Sequence, residues 1–172
     1  MHAELVGNRI IIWNIEDARA LFKEGFYGKP LGIPKPKNAE FNAPLVLDLI
    51  EGYYLLEKGK ISITQSPSHR KMSLKSIREI CKSEYLDFAE KYLVYKHLRE
   101  ARLIVSPGIK FGCDFAVYEH GPGIDHAPYL VEVVKPSHDL TATRIILSGR
   151  LATTVRKQFI LAVADVPRKK VE

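Results

Sequence analysis

Residues 159–165 read Phe-Ile-Leu-Ala-Val-Ala-Asp, six apolar side chains in succession with no polar alternation. A strand with one face in water alternates apolar and polar residues, so an unbroken run is expected to be covered on both faces. The run therefore predicts a central buried strand, and the segments before it supply the sheet. Strands are expected over Leu103–Ser106, Phe111–Tyr118 and Tyr129–Val134, followed by a helix over about Leu140–Arg156. Ahead of them, Tyr85–Arg99 places Tyr85, Phe88, Ala89, Tyr92, Tyr95 and Leu98 near one helical face.

The first third has a different texture. Glu4–Trp13 reads as strand, hairpin-like around Gly7-Asn8, and Ile15–Glu24 as a short helix ended by Gly25. Pro30, Pro34 and Pro36 forbid regular helix in the loop that follows. Leu45, Leu49, Ile50, Tyr53 and Leu56 fall at amphipathic-helix spacing within Ala43–Lys58. Gly59 ends that helix, Ile61–Thr64 alternates as a strand, and Ser73 can cap a helix to about Cys81. The fold class expected is mixed α/β (α+β). A small N-terminal mixed α/β domain spans 1–82, and a second domain spans 83–172, with a central mixed sheet flanked by helices.

Composition narrows the function classes. Hydrophobic residues at 46% and charged residues at 27% rule out wholesale disorder. No stretch approaches the roughly 18 consecutive apolar residues of a membrane span, and Met1–Ile10 lacks the pattern of a secretory signal. Cys81 and Cys113 form no CxxC pair, which argues against a disulfide scaffold or zinc site. A cytoplasmic protein is expected. The net charge of +6 favours a polyanionic partner, since each phosphate met by a cation releases counterions.

The densest polar cluster is Tyr118-Glu-His-Gly-Pro-Gly-Ile-Asp-His126, between two expected strands. Strand alternation puts Asp114, Ala116 and Tyr118 on one face. Gly121, Pro122 and Gly123 also explain the loop as plain turn chemistry. His120, Asp125 and His126 are a possible metal set, without a third firm ligand at a recognised spacing. Gly-Pro-Gly is no dinucleotide fingerprint, because a strand rather than a helix follows it. Asp114, Glu132 and Lys135 resemble a metal-dependent nuclease core. The carboxylate and lysine are three apart, however, which sends them to opposite faces of a strand. Cys81 and Cys113 read as buried small hydrophobes, and Arg70, Lys71, Lys75, Arg78 and Lys82 as a solvated face open to phosphate.

The stretches KFGCDFAVYEHGPGIDHAPYLVEVV and SGRLATTVRKQFILAVAD resemble the catalytic domain of archaeal tRNA-splicing endonucleases, and KYLVYKHLREARLIVSPGIKFGCDF resembles the family's segment leading into it, the match covering about 82–165. The combination is specific: Asp-Phe-x-x-Tyr, His-Ala eight residues after that tyrosine, and Val-Arg-Lys before an apolar strand. The resemblance implies a restriction-endonuclease-like catalytic domain behind the N-terminal one. It carries the family's tyrosine, histidine and lysine onto Tyr118, His126 and Lys157, and a base-clamping arginine onto Arg150. In the family the tyrosine is the base, the histidine the acid and the lysine the electrostatic stabiliser of 2′-hydroxyl attack on the adjacent phosphate. No metal or other cofactor is implied. A tyrosine of reference pKa ~10 needs nearby cations to favour its anion, whereas a histidine near ~6.5 can supply a proton around neutrality. Lys157 also fits a plain role beside a helix C-terminus.

The partner implied is precursor tRNA with a bulge-helix-bulge. Relatives usually continue beyond the position of Glu172 into a strand carrying a second clamp arginine and a dimer contact. The loop Lys135-Pro-Ser-His-Asp139 holds one carboxylate, whereas self-assembling relatives dock a more acidic loop. That points to an α2β2 tetramer with a non-catalytic paralogous subunit, with a homotetramer open. Two other functions stay in view. A structural paralogue has no chemical need for Tyr118, His126 and Lys157 together, and a metal-dependent nuclease is disfavoured by the spacing of Glu132 and Lys135.

Overall fold

The computed structural model describes every residue except 35, 37, 123–126, 138–140 and 155, and every side chain among the rest except 144, 148, 151 and 152. The chain divides into two compact units, Met1–Leu86 and Asp87–Glu172. Each carries a mixed sheet with helices, so the fold is α+β.

In the first unit, β1 (His2–Val6) and β2 (Arg9–Ile12) form the expected hairpin, with Gly7 at φ 61° making the turn. Next comes α1 (Ile15–Gly25), where the Asn14 side chain accepts the Asp17 N–H at 2.9 Å and caps the helix. Gly25 does not end it. The left-handed cap is Phe26 at φ 52°, whose N–H donates to the Phe22 carbonyl at 2.7 Å. Its ring meets Phe22 edge-on at 5.2 Å, and this packing offsets the backbone cost.

After β3 (Lys29–Pro30), residues 45–47 form β4 (Leu45–Leu47) rather than the start of a helix. Leu45 and Leu47 are fully buried opposite Ile12 and Ile10 of β2. The helix begins only afterwards, as α2 (Leu49–Glu57), because Asp48 and Glu51 form a reciprocal capping box there. Then follow β5 (Ser62–Gln65), β6 (Arg70–Lys71) and α3 (Leu74–Glu84), which Ser73 caps through the Ser76 N–H at 3.1 Å. The sheet order is β3-β4-β2-β1-β5-β6, with β1 and β5 parallel.

The second unit opens with α4 (Phe88–Glu100), then β7 (Ile104–Pro107), a 3₁₀ turn at Ile109–Phe111 and β8 (Phe115–Tyr118). It continues through β9 (Tyr129–Val134), α5 (Ala142–Thr154), β10 (Gln158–Asp165) and β11 (Lys170–Val171). The sheet order is β11-β10-β9-β8-β7. Strands β9 and β10 are parallel, as a helical crossover demands. Phe115 packs against Tyr95 of α4, ring centroids 5.9 Å apart. The buried Arg99 of α4 donates to the Tyr95 hydroxyl and the Val105 carbonyl, both at 3.0 Å.

Two further expectations change, both in the second unit. The strand expected over Phe111–Tyr118 starts only at Phe115, because Gly112 turns left-handed at φ 68° and closes the 3₁₀ turn. The apolar run of β10 is not covered throughout. Its outer neighbour β11 is two residues long and meets it at Ala164 and Asp165. Ala162 and Ala164 are buried, while Ile160 is 40% exposed. Side chains of a strand are buried by what packs over its faces, whereas a ladder neighbour shields only its edge, so an apolar run alone does not guarantee burial. Among the described residues no helix is long and apolar enough to cross a membrane.

Candidate active site

Three strand ends build the site. Strand β8 finishes at Tyr118, β9 starts at Tyr129 and β10 starts at Gln158. Since β8 runs antiparallel to β9, and β9 parallel to β10, these three ends share one rim of the sheet. Ala116, Leu130 and Phe159 are ladder partners in one row. Partners across a ladder share a face, and so do residues two apart along a strand. Tyr118 therefore projects from that face, and the Lys157 ammonium reaches the same face beside Phe111, on either side of the entry to β9. The Gln158 N–H extends the pairing by donating to the Pro128 carbonyl at 2.7 Å. Two strand spacings, about 10 Å, separate the two backbones, a gap that a phenol and a lysine can close between them.

This face has its own small apolar centre. Ala116, Ala127 and Leu130 are buried, with Phe111, Cys113, Tyr118 and Phe159 packed around them. Phe111 reaches it from the far end of the β7–β8 hairpin, because the turn flanked by Gly108 and Gly112 folds back over the sheet. The Lys157 ammonium donates to the Ala127 carbonyl and lies 5.4 Å from the centroid of the Phe111 ring. Lys110 places a second ammonium 5.1 Å from the same ring. A sharp reversal aims Lys157: Arg156, at φ 54°, lies between α5 and β10. Tyr118 and Lys157 are both half-buried.

Of the residues singled out by sequence, Tyr118 and Lys157 are thus brought to one rim and one face. His126 and Asp125 lie outside the described residues, immediately before Ala127 in the chain. Asp139 of the 135–139 loop lies outside them too. His120 is exposed beside Glu119, which accepts the Tyr129 hydroxyl at 2.9 Å and raises that phenol's pKa. Arg150 is exposed on α5, and its carbonyl accepts the Thr154 hydroxyl at 2.8 Å.

Asp114 and Lys135, from the set of Asp114, Glu132 and Lys135, serve other ends. Asp114 pairs with Lys91 of α4 at 2.8 Å and accepts the Val133 N–H at 2.8 Å. Lys135 pairs with Asp87 at 2.5 Å and with Glu90 at 3.8 Å. These contacts tie α4 to the sheet. Among the described residues no group of three His, Cys, Asp or Glu side chains is placed to hold a metal ion. Burial pushes the Cys81 thiol up to about 12 and Cys113 up to about 11.

Phe111 and the Ala127 carbonyl were missed as site groups. The signal for Phe111 was the pair Gly108 and Gly112 around it, which marks a turn rather than a strand. Chemically, the rim offers a phenol for proton transfer and an ammonium for anionic charge. Both stand over an apolar floor that raises the strength of such interactions.

Comparison with known proteins covers nearly the whole chain. Residues 88–171 match the tRNA intron endonuclease catalytic C-terminal domain, and residues 1–78 match the N-terminal domain of that family. The chain is 44% identical to a tRNA-splicing endonuclease of Hyperthermus butylicus over 163 residues, 95% of this chain and 90% of that protein. A tRNA-splicing endonuclease of Sulfurisphaera tokodaii is 43% identical over 172 residues, 99% of this chain and 94% of that protein. One of Saccharolobus solfataricus is 40% identical over 164 residues, 95% and 90% of the two chains. With both units matched in order, the chain belongs to the tRNA intron endonuclease family.

Proposed function

We propose that this tRNA-splicing endonuclease cuts precursor tRNA at bulge-helix-bulge sites with Tyr118, His126 and Lys157, without a metal ion. The Tyr118 phenolate takes the proton of a 2′-hydroxyl, whose oxygen attacks the adjacent phosphorus. The bond from phosphorus to the 5′-oxygen breaks, and His126 protonates that oxygen. Lys157 offsets the extra negative charge of the phosphorane. The products are a 2′,3′-cyclic phosphate and a 5′-hydroxyl.

A single observation supports this reading best. Tyr118 and Lys157 share one face at one rim, and the residue that Lys157 bonds, Ala127, follows His126 directly. Arg150 would stack its guanidinium on a splayed bulge base, a contact indifferent to base identity. The division of labour belongs to the same proposal, with an N-terminal domain over 1–82 and the catalytic domain over 83–172. So do a cytoplasmic location and an α2β2 tetramer with a non-catalytic paralogue, a homotetramer being the second form.

The test is cleavage of a bulge-helix-bulge RNA in EDTA, with end-group analysis of the fragments. Cutting that leaves cyclic phosphate ends supports the proposal. Loss of all cutting in chelator, or 3′-hydroxyl ends, would overturn it. Gel filtration of the chain alone and with a paralogue decides the assembly.

A further inference from the structure

We infer that Phe111 is a positioning residue for the Lys157 ammonium, a role that rests on the catalytic reading of Lys157 above. A lysine side chain has a long flexible stem, and its point charge is useful to a reaction only where that charge is held. Lys157 enters from a coil residue rather than from a strand, so its backbone alone fixes little of the ammonium's place.

Among the described residues, two groups hold the ammonium instead. One is the Ala127 carbonyl, which accepts its proton. The other is the electron-rich face of Phe111, 5.4 Å from the nitrogen. Neither is an anion. A carboxylate in the same place would neutralise the charge before substrate arrived. A carbonyl and an aromatic ring orient the ammonium and leave its positive charge available to a phosphate.

The route of the chain supports the assignment. Phe111 comes from the hairpin end farthest from the rim, and its turn must double back over the sheet for the ring to arrive. The ring covers Ala116, Ala127 and Leu130, the same floor on which Tyr118 packs. An aliphatic side chain would cover that floor equally well and offer the ammonium nothing. Lys110 also lies near the ring but is exposed, whereas Lys157 is half-buried and has the Ala127 carbonyl as a second anchor, so the positioned cation is Lys157.

The experiment is single-turnover cleavage of a bulge-helix-bulge RNA by the full chain and its variants, in a double-mutant cycle. Phe111→Leu is expected to slow cleavage roughly tenfold with KM within about twofold, and Phe111→Tyr to recover most of the rate. In a Lys157→Met background, Phe111→Leu should cost nothing more. Phe111→Met fills the place without a π face and gives the same comparison if the leucine variant unfolds. A leucine variant as fast as the parent would overturn the inference, as would a tyrosine variant as slow as leucine or an undiminished effect in the Lys157→Met background. Lys157→Met cutting at the parent rate would instead remove the catalytic reading itself, a separate outcome.

Discussion

The Lys157 ammonium donates to the main-chain carbonyl of Ala127, so the residue leading into β10 grips the residue leading into β9. That bond joins positions thirty apart in sequence across a parallel strand pair. It fixes the rim at which Tyr118 also ends its strand.

Lys157→Met should therefore act on rate. Loss of a preorganised charge at a developing oxyanion costs about 10²-fold to 10³-fold. Single-turnover cleavage is expected to fall by about that much, while RNA affinity by filter binding falls only a few-fold. Equal losses in both would assign Lys157 to binding alone.

Tyr118→Phe keeps the ring on Ala116, Ala127 and Leu130 and deletes only the hydroxyl. Cleavage should drop at least about 10²-fold, the usual cost of losing a general base. The thermal midpoint should stay close to that of the parent protein. A large fall in midpoint would show that the hydroxyl serves the fold.

Both thiols should be silent in the folded protein. Burial holds Cys81 near 12 and Cys113 near 11, so at pH 8 neither carries appreciable thiolate. Ellman's reagent should titrate two thiols in denaturant and react far more slowly without it. The sign for stability follows. Above about pH 8.5 the unfolded chain releases thiol protons that the folded chain keeps, so stability falls as pH rises from there. Tyr85, raised by burial and by Asp48, adds to the fall above about pH 10. Urea midpoints at pH 7, 9 and 10 measure it, and Cys81→Ala should flatten the first part of the decline.

Arg99→Leu should destabilise the protein by about 2 kcal/mol, the scale of hydrogen bonds made by a buried charged donor. The change strips the Val105 carbonyl and the Tyr95 hydroxyl of donors 3.0 Å away. Urea denaturation followed by circular dichroism reads it. A change below about 0.5 kcal/mol would show that water replaces the guanidinium at no cost.

The readable parts of this fold are those encoded locally. Gly7-Asn8 marks its hairpin and Ser73 its helix cap, because a turn or a cap is decided by a few adjacent residues. Leu45 also fits a 3.6-residue spacing with Leu49 and Tyr53, so the pattern alone favours helix where β4 forms. What separates strand from helix there is Asp48, three residues before Glu51. The uneven burial of β10 is not legible in its composition, because an apolar run does not show what packs over each face. At the site, periodicity had no means of pairing Tyr118 with Lys157. Their shared face depends on two strand registers, and register is a tertiary property. Only the resemblance to a family joined them beforehand.

The parallel pairing of β9 and β10 also orders events during synthesis. A chain emerging through Thr154 already carries the phenol of Tyr118, yet it lacks Lys157 and the whole of β10. Parallel neighbours close a long loop before any pairing rewards them, so this contact is among the slower ones to form. The growing polypeptide thus cannot set Lys157 beside Tyr118 until β10 has been translated and docked on β9.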